Sequence, residues 1–153
     1  MNEVIIDLKK RENIFEIKED THLVAKLLCE NSSDVKTSLV VIHRLKDKKS
    51  RIDIKVVVRD SSKFEINGLL KIENGASGTN SYLKIDCLML DDNSYAKAIP
   101  SLEINESAVK AGHGGTIGRI DKNMIYYLES RGLDYKDAED LLVKAFLGEI
   151  FIN

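Results

Sequence analysis

For its first 120 residues this chain breaks its apolar residues into short runs divided by polar corners, a spacing that suits strands and leaves no room for long helices. The runs rich in Val, Ile and Leu are Ile14 to Ile17, His22 to Leu28, Thr37 to Arg44, Ile52 to Val58, Phe64 to Ile72, Leu83 to Leu90 and Ile99 to Ile104. Between them lie Asn31-Ser-Ser-Asp, Asp47-Lys-Lys-Ser, Asp60-Ser-Ser, Glu73-Asn-Gly-Ala-Ser-Gly-Thr-Asn and Asp91-Asp-Asn-Ser, all clusters of turn formers. Several runs alternate. Ile52, Ile54 and Val56 fall on one face against Arg51, Asp53 and Lys55 on the other, and Leu83, Ile85, Cys87 and Met89 share a face. Such strands predict a stacked β architecture, either a sandwich or a parallel β-helix whose rungs each bury one inward face. No repeat period is visible that would choose between them.

After Asp121 the apolar period changes from 2 to 3.6. Asp121 is a good N-cap for a helix over Lys122 to Arg131, with Met124, Tyr127 and Leu128 as its apolar stripe. Gly132 supplies the residue that ends it. Asp134 then caps a second helix, with Ala138, Leu141, Leu142, Ala145, Phe146 and Ile150 on one face. The expected layout is a β body over 1–120, in which residues 1–20 cap the open first rung, followed by a helical segment over 121–153. Helices this short must bury their apolar faces on the β body or on a partner.

Composition limits the function classes. Hydrophobic residues at 43% and charged residues at 31% suit a folded domain with a real core. With 23 Lys and Arg against 25 Asp and Glu, the net charge of −2 argues against nucleic-acid binding, and Lys46, Lys48 and Lys49 read as a solvated loop. No stretch approaches a membrane span. The start, Met1 to Phe15, is too charged for a secretory signal and too acidic for a transit peptide, so a cytoplasmic chain with reduced Cys29 and Cys87 is expected.

The most unusual local sequence is Gly112-His-Gly-Gly-Thr-Ile-Gly118. Four glycines in seven residues point to positive φ angles or to a very close backbone approach. The spacing is wrong for a P-loop, and no Lys follows Gly118; an oxyanion loop would need a GxSxG elbow, which the chain lacks. Glycine clusters are commonest at turns, so the bland reading is a bend from the last strand into the first helix, with His113 a hydrogen-bonded turn residue. The chemical reading is a metal or cluster ligand at His113, since a neutral imidazole on an uncrowded backbone can face an open site. Cys87, on the same face as Ile85, reads first as core packing. His22 and His43 read as core or surface residues, and Asp91-Asp92 as a strand-end turn. One Cys and one His are too few to close a metal site within one chain.

The C-terminal half resembles the SufB/SufD family, the scaffold subunits of SUF iron–sulfur cluster assembly. The similarity runs through Ile66-Asn-Gly-Leu-Leu-Lys-Ile, Gly75-Ala, Thr79, Leu88-Met-Leu-Asp-Asp and Ile99-Pro-Ser-Leu-Glu-Ile. It is most specific over Val109-Lys-Ala-Gly-His-Gly-Gly-Thr-Ile-Gly-Arg-Ile-Asp and Ile125-Tyr-Tyr-Leu-Glu-Ser-Arg-Gly-Leu, and ends in Ala138-x-x-Leu-Leu-Val-x-Ala-Phe. It spans roughly residues 64 to 150, with earlier residues matching only in being β-rich.

The resemblance implies a right-handed parallel β-helix followed by a C-terminal helical hairpin. It implies a non-catalytic scaffold that pairs through its last strands with a second SufB/SufD-type subunit, or with itself as a homodimer. It further implies docking of a SufC-like ABC ATPase through Tyr126, Tyr127, Arg131, Gly132 and Phe146, with ATP hydrolysis in that partner. A transient iron–sulfur cluster is the implied cargo. His113 is implied to face the interface, opposite a cysteine of the paired subunit, with Gly112, Gly114, Gly115 and Gly118 as interface and turn positions. Cys87 is the weaker ligand candidate. Where SufB-type subunits place a cysteine this chain has Ile85, with Cys87 two residues on, and their acidic residue after the histidine is Gly114 here, so the chain looks more like SufD. It is far shorter than usual members: a minimal scaffold, a partner for a longer SufB and a degenerate paralogue all stay open. The rival reading is an interaction or regulatory module that binds the ATPase or a full-length scaffold without holding a cluster. An independent hydrolase ranks third, for want of paired carboxylates.

Overall fold

A computed structural model describes residues 1–148. The strands are β1 (Asn2–Ile5), β2 (Glu12–Ile17), β3 (Thr21–Cys29), β4 (Asp34–His43), β5 (Lys49–Val58), β6 (Lys63–Ile72), β7 (Asn80–Met89), β8 (Tyr95–Ile104) and β9 (Lys110–Arg119). Consecutive strands alternate between two parallel sheets, ordered β1-β3-β5-β7-β9 and β2-β4-β6-β8. The chain is therefore a β-solenoid of about four turns, with two strands to a turn. From β3 onward, register partners on successive turns lie 29 to 32 residues apart in sequence. That is the period the sequence conceals. Of the two stacked β architectures, the parallel β-helix is the one formed. Residues 1–20 contribute β1 and β2, which pair in register with β3 and β4 and so extend the same two sheets.

Register turns the alternation of each strand into vertical files. Val4, Leu23, Ile52, Leu83 and His113 stack in one inward file of the odd sheet. Leu27, Val56, Cys87 and Ile117 form another. Facing them on the even sheet are Leu39, Gly68 and Pro100, and Val41, Leu70 and Leu102. At Gly68 the opposite sheet packs tightly, since an added Cβ would lie 3.1 Å from both Leu83 and Ile85.

The corners stack as well. Asn31, Ser32, Asp60 and Ser61 all adopt the left-handed conformation. Ser32 N–H donates to the Asp60 carbonyl one turn on (3.0 Å), and the hydroxyls of Ser33 and Ser62 lie 3.3 Å apart. At the next corner Asp91 accepts from Asn93 N (3.0 Å), Ser94 N (2.8 Å) and Ser94 Oγ (2.7 Å), the turn its sequence implies.

Helix α1 (Lys122–Ser130) starts at Asp121, whose side chain accepts from Asn123 N (2.9 Å), and is followed by Gly132 at φ 103°. Helix α2 (Tyr135–Leu147) starts at Asp134, which accepts from Asp137 N (2.8 Å), and ends on left-handed Gly148. Both fold back onto the outer face of the odd sheet, where Ile125, Ala138 and Leu147 bury against Val57, Leu90 and Ile120. The expected stripe of α1 is rotated: Ile125 and Leu128 face inward, while Met124 and Tyr127 are exposed. On α2, Leu142, Val143 and Phe146 turn inward, whereas Leu141 and Ala145 do not; Ile150 lies outside the described residues. The reason is shared, since a helix laid on a sheet buries only a narrow arc. Among the described residues no helix is long and apolar enough to cross a membrane.

One buried polar group sets a pH limit on the fold. His43 is fully buried, its Nε2 lies 2.8 Å from Ser50 Oγ, and its Nδ1 has no partner. Burial pushes its pKa down from 6.5 to about 4. Unfolded, the ring takes up a proton at its ordinary pKa; folded, it refuses one until pH 4. Its contribution is complete above pH 6.5 and is lost as pH falls towards 4, by roughly 3 kcal/mol in total. Urea unfolding between pH 4 and 8 should show this loss, and His43→Gln should flatten the profile within that window.

Candidate functional site

The glycine-rich segment singled out by sequence is not a bend. Residues Lys110 to Arg119 form β9, a ten-residue strand pairing in full parallel register with β7. None of Gly112, Gly114, Gly115 or Gly118 has a positive φ. Three of them instead permit close approach, the other sense of a glycine cluster. A Cβ on Gly115 would sit 2.9 Å from the Ile85 carbonyl oxygen. One on Gly112 would sit 3.1 Å from the Tyr82 ring, and one on Gly114 would sit 2.6 Å from the Tyr82 hydroxyl oxygen. Gly118 faces open space. Strand wins over turn because β7 offers a complete ladder of backbone partners, which outweighs poor local propensity.

His113 lies in the core-facing file, directly beyond Leu83, yet it is exposed. The file has simply run out: among the described residues no strand pairs with the outer edge of β9 or of β8. Elsewhere along this uncovered end the core surfaces at Ile117 (44% exposed) and Ile104 (43%). At the opposite end Ile6, Leu8 and Ile17 are all below 5% exposed, while Val4, in the same file as His113, is 36% exposed. The imidazole thus stands on a small apolar platform between two unpaired strand edges.

Cys87 is placed differently. It is 2% exposed, one turn in from the platform, with Ile117 next in its file. Burial, with help from Asp86 and Cys29, pushes its pKa up to about 12; burial likewise raises Cys29 to about 11, slightly offset by Lys9. Both thiols stay protonated at neutral pH, and in this fold Cys87 packs as a small apolar side chain. His22 bonds Asp53 on the outer face (2.8 Å) and, like His43, is not brought to the platform.

The expected docking residues divide. Tyr126 (74% exposed) and Tyr127 (56%) stand outward beside Met124 and Tyr135, which sequence reasoning left out of the set. Arg131 is the exposed C-cap of α1, and Gly132 ends that helix. Phe146 turns the other way. Its carbonyl accepts from Lys55 Nζ (2.7 Å), the ammonium lies 5.7 Å from its ring centroid, and the ring packs with the cluster that anchors α2. It fastens the helix to the solenoid.

Residues 16–146 match the family model described as "SUF system FeS cluster assembly, SufBD core domain". The chain belongs to the SufBD core family. It is 40% identical over 94 residues to the iron–sulfur cluster assembly protein SufD of Bacillus subtilis, a match covering 61% of this chain and 22% of that protein. It is 34% identical over 96 residues to SufD of Escherichia coli, covering 63% and 23% respectively. With a SufBD family protein of Mycobacterium tuberculosis it shares 32% over 114 residues, 74% of this chain and 14% of the relative. The matched part is thus less than a quarter of each of these relatives. The family match starts some fifty residues before the point where the motifs become readable, because the early turns share architecture with little sequence signature.

The glycines of this SufBD-family chain make unequal demands. Gly115→Ala should cost on the order of 1–3 kcal/mol, because its methyl meets a backbone carbonyl that cannot move aside. Gly118→Ala should be neutral or stabilise by about 0.5 kcal/mol, since it removes chain entropy at no steric cost. Thermal unfolding of the two variants checks the contrast.

Proposed function

We propose that this chain is a scaffold subunit of SUF-type iron–sulfur cluster assembly, pairing through the open edges of β8 and β9 and docking an ABC-type ATPase through α1 and α2. The observation that carries this reading is the exposed His113 at the uncovered end of a core-facing file. Two unpaired edges flanking exposed apolar side chains favour strand addition by another chain. About a two-fold axis these edges meet the same edges of a second copy, so that pairing uses both and stops at two chains; a longer SufB/SufD-type subunit could take the second place.

A nascent cluster needs several thiolate or imidazole donors in a shielded place. Among the described residues no group of three His, Cys, Asp or Glu side chains is arranged to hold a metal ion. His113 gives one donor, and the paired chain would give the others while its strands exclude water. The aromatic surface of Tyr126, Tyr127 and Tyr135, with Met124 and Leu141, suits a protein partner better than solvent. Closure of the ATPase pair would pull on α2, which Lys55 ties to the odd sheet, and so move the scaffold as a rigid body.

The second reading, a docking or regulatory module that holds no cluster, is favoured by Ile85 in place of the SufB-type cysteine and by the core position of Cys87. Anaerobic reconstitution with iron and sulfide separates the two, using the chain co-purified with its cognate ATPase and paired subunit. A scaffold retains stoichiometric iron and sulfide that His113→Ala loses and Cys87→Ala keeps. Equal yield in wild type and His113→Ala sinks the donor role, and an intact complex without iron leaves the docking module. Separately, Tyr126→Ala with Tyr127→Ala should weaken ATPase co-purification at least tenfold while shifting stability by no more than about 0.5 kcal/mol, as expected for exposed sites.

A further inference from the structure

Two of the four glycines around His113 are explained by one side chain, Tyr82, which is half-exposed on β7 and sits opposite Gly112 in the register. Ring atoms of Tyr82 lie 3.1 Å from the place a Gly112 Cβ would occupy, and its hydroxyl oxygen lies 2.6 Å from the corresponding place at Gly114. Within 4 Å of both places the nearby atoms are those of Tyr82. The ring therefore fills the space of two missing side chains, one on each side of His113, on the outer face of the strand whose inner face carries the imidazole.

Behind the ring stands Arg51, its guanidinium 6.0 Å from the centroid. Asp53 holds Arg51 by two bonds, Nε to Oδ2 at 2.7 Å and Nη2 to Oδ1 at 3.0 Å, and is itself held by His22 Nε2 at 2.8 Å. The ring is thus braced from the second turn inward. Glycines at an unpaired sheet edge carry the largest backbone entropy of any residue and have no side chain to pack. An aromatic ring laid across cross-strand glycines restores that packing.

We propose that Tyr82, braced by Arg51, is a positioning residue that flattens the Gly112–Gly114 segment against β7 and so sets where His113 presents its imidazole. This rests on the donor role proposed for His113. It also gives the Gly-His-Gly pattern a purpose: the glycines admit the ring, and the ring replaces their rigidity. Among the described residues the hydroxyl makes no hydrogen bond, and the ring carbon Cζ still lies 3.6 Å from the Gly114 place, so Phe should substitute for Tyr and an aliphatic side chain should not.

Amide hydrogen exchange over residues 112–116, in the unpaired chain, reads the strand directly, and iron and sulfide retention in the reconstituted complex reads the imidazole. Tyr82→Leu should speed exchange of that segment at least tenfold while β3 and β5 keep wild-type protection, and should lower retention several-fold. Tyr82→Phe should restore both, and Arg51→Gln, which removes only the brace, should fall between. Wild-type exchange in Tyr82→Leu overturns the proposal, as does faster exchange with full retention, or failure of Phe to rescue. Should Tyr82→Leu not fold, the Arg51→Gln comparison decides: wild-type exchange there overturns the proposal. Absence of iron from the wild-type complex overturns the donor role of His113 whatever the exchange shows, so the two failures are told apart.

Discussion

Parallel pairing in register with the strand one turn earlier governs everything else in this molecule. Each strand from β5 to β9 takes its backbone partners from a neighbour 29 to 32 residues upstream, so each inward side chain rests on the inward side chain before it. Like falls on like: Leu23, Ile52 and Leu83 in one file, the hydroxyls of Ser50 and Ser81 (2.6 Å apart) in another. The corners follow the same rule, with left-handed pairs at Asn31-Ser32 and Asp60-Ser61 stacking turn on turn. The register also decides where chemistry can occur. A file that is core at Leu83 becomes solvent-facing at His113 because no further strand covers it.

That single step of depth separates the two candidate ligands more sharply than their residue types do. Cys87 and His113 both point to the inside of the odd sheet. Cys87 is one turn deeper, where desolvation keeps its thiol protonated and it packs among apolar side chains. His113 keeps its imidazole at the surface without leaving the rigid frame of the sheet. A donor held by a strand is better placed than one on a loop, because its backbone is defined by a full ladder of hydrogen bonds.

Much of this was legible in the sequence, and the rest was hidden for physical reasons. Alternation at Ile52, Ile54 and Val56 marks the inner face because each strand has one wet side. Asp121 and Asp134 announce the helix starts because orphan N–H groups need acceptors. The period stayed invisible because files conserve volume and polarity rather than identity, as Leu23, Ile52 and Leu83 show. Strand β9 resembled a bend because a strand built from glycines has no side-chain signal, its form coming wholly from β7. Nothing local could reveal that Tyr82 serves Gly112 and Gly114, which lie a full turn away. The exposed face of α1 was misjudged at Met124 and Tyr127 because helical periodicity defines a stripe without saying which edge of it meets the sheet.

A stack in which each turn touches only its neighbours has no single melting unit, and local opening starts where neighbours are fewest. Here β9 is one such place, bonded along one edge and weakened by four glycines. Closing a turn from β3 onward means joining residues about thirty apart, so loop-closure entropy is nearly the same for those rungs and their order of assembly is set by rung quality instead. The strand bearing His113 is then among the last to zip and the first to fray. A partner strand on its free edge would change a kinetic weakness into order at the moment of association, and the lifetime of that strand's closed form would serve as a clock for how long the imidazole stays on station.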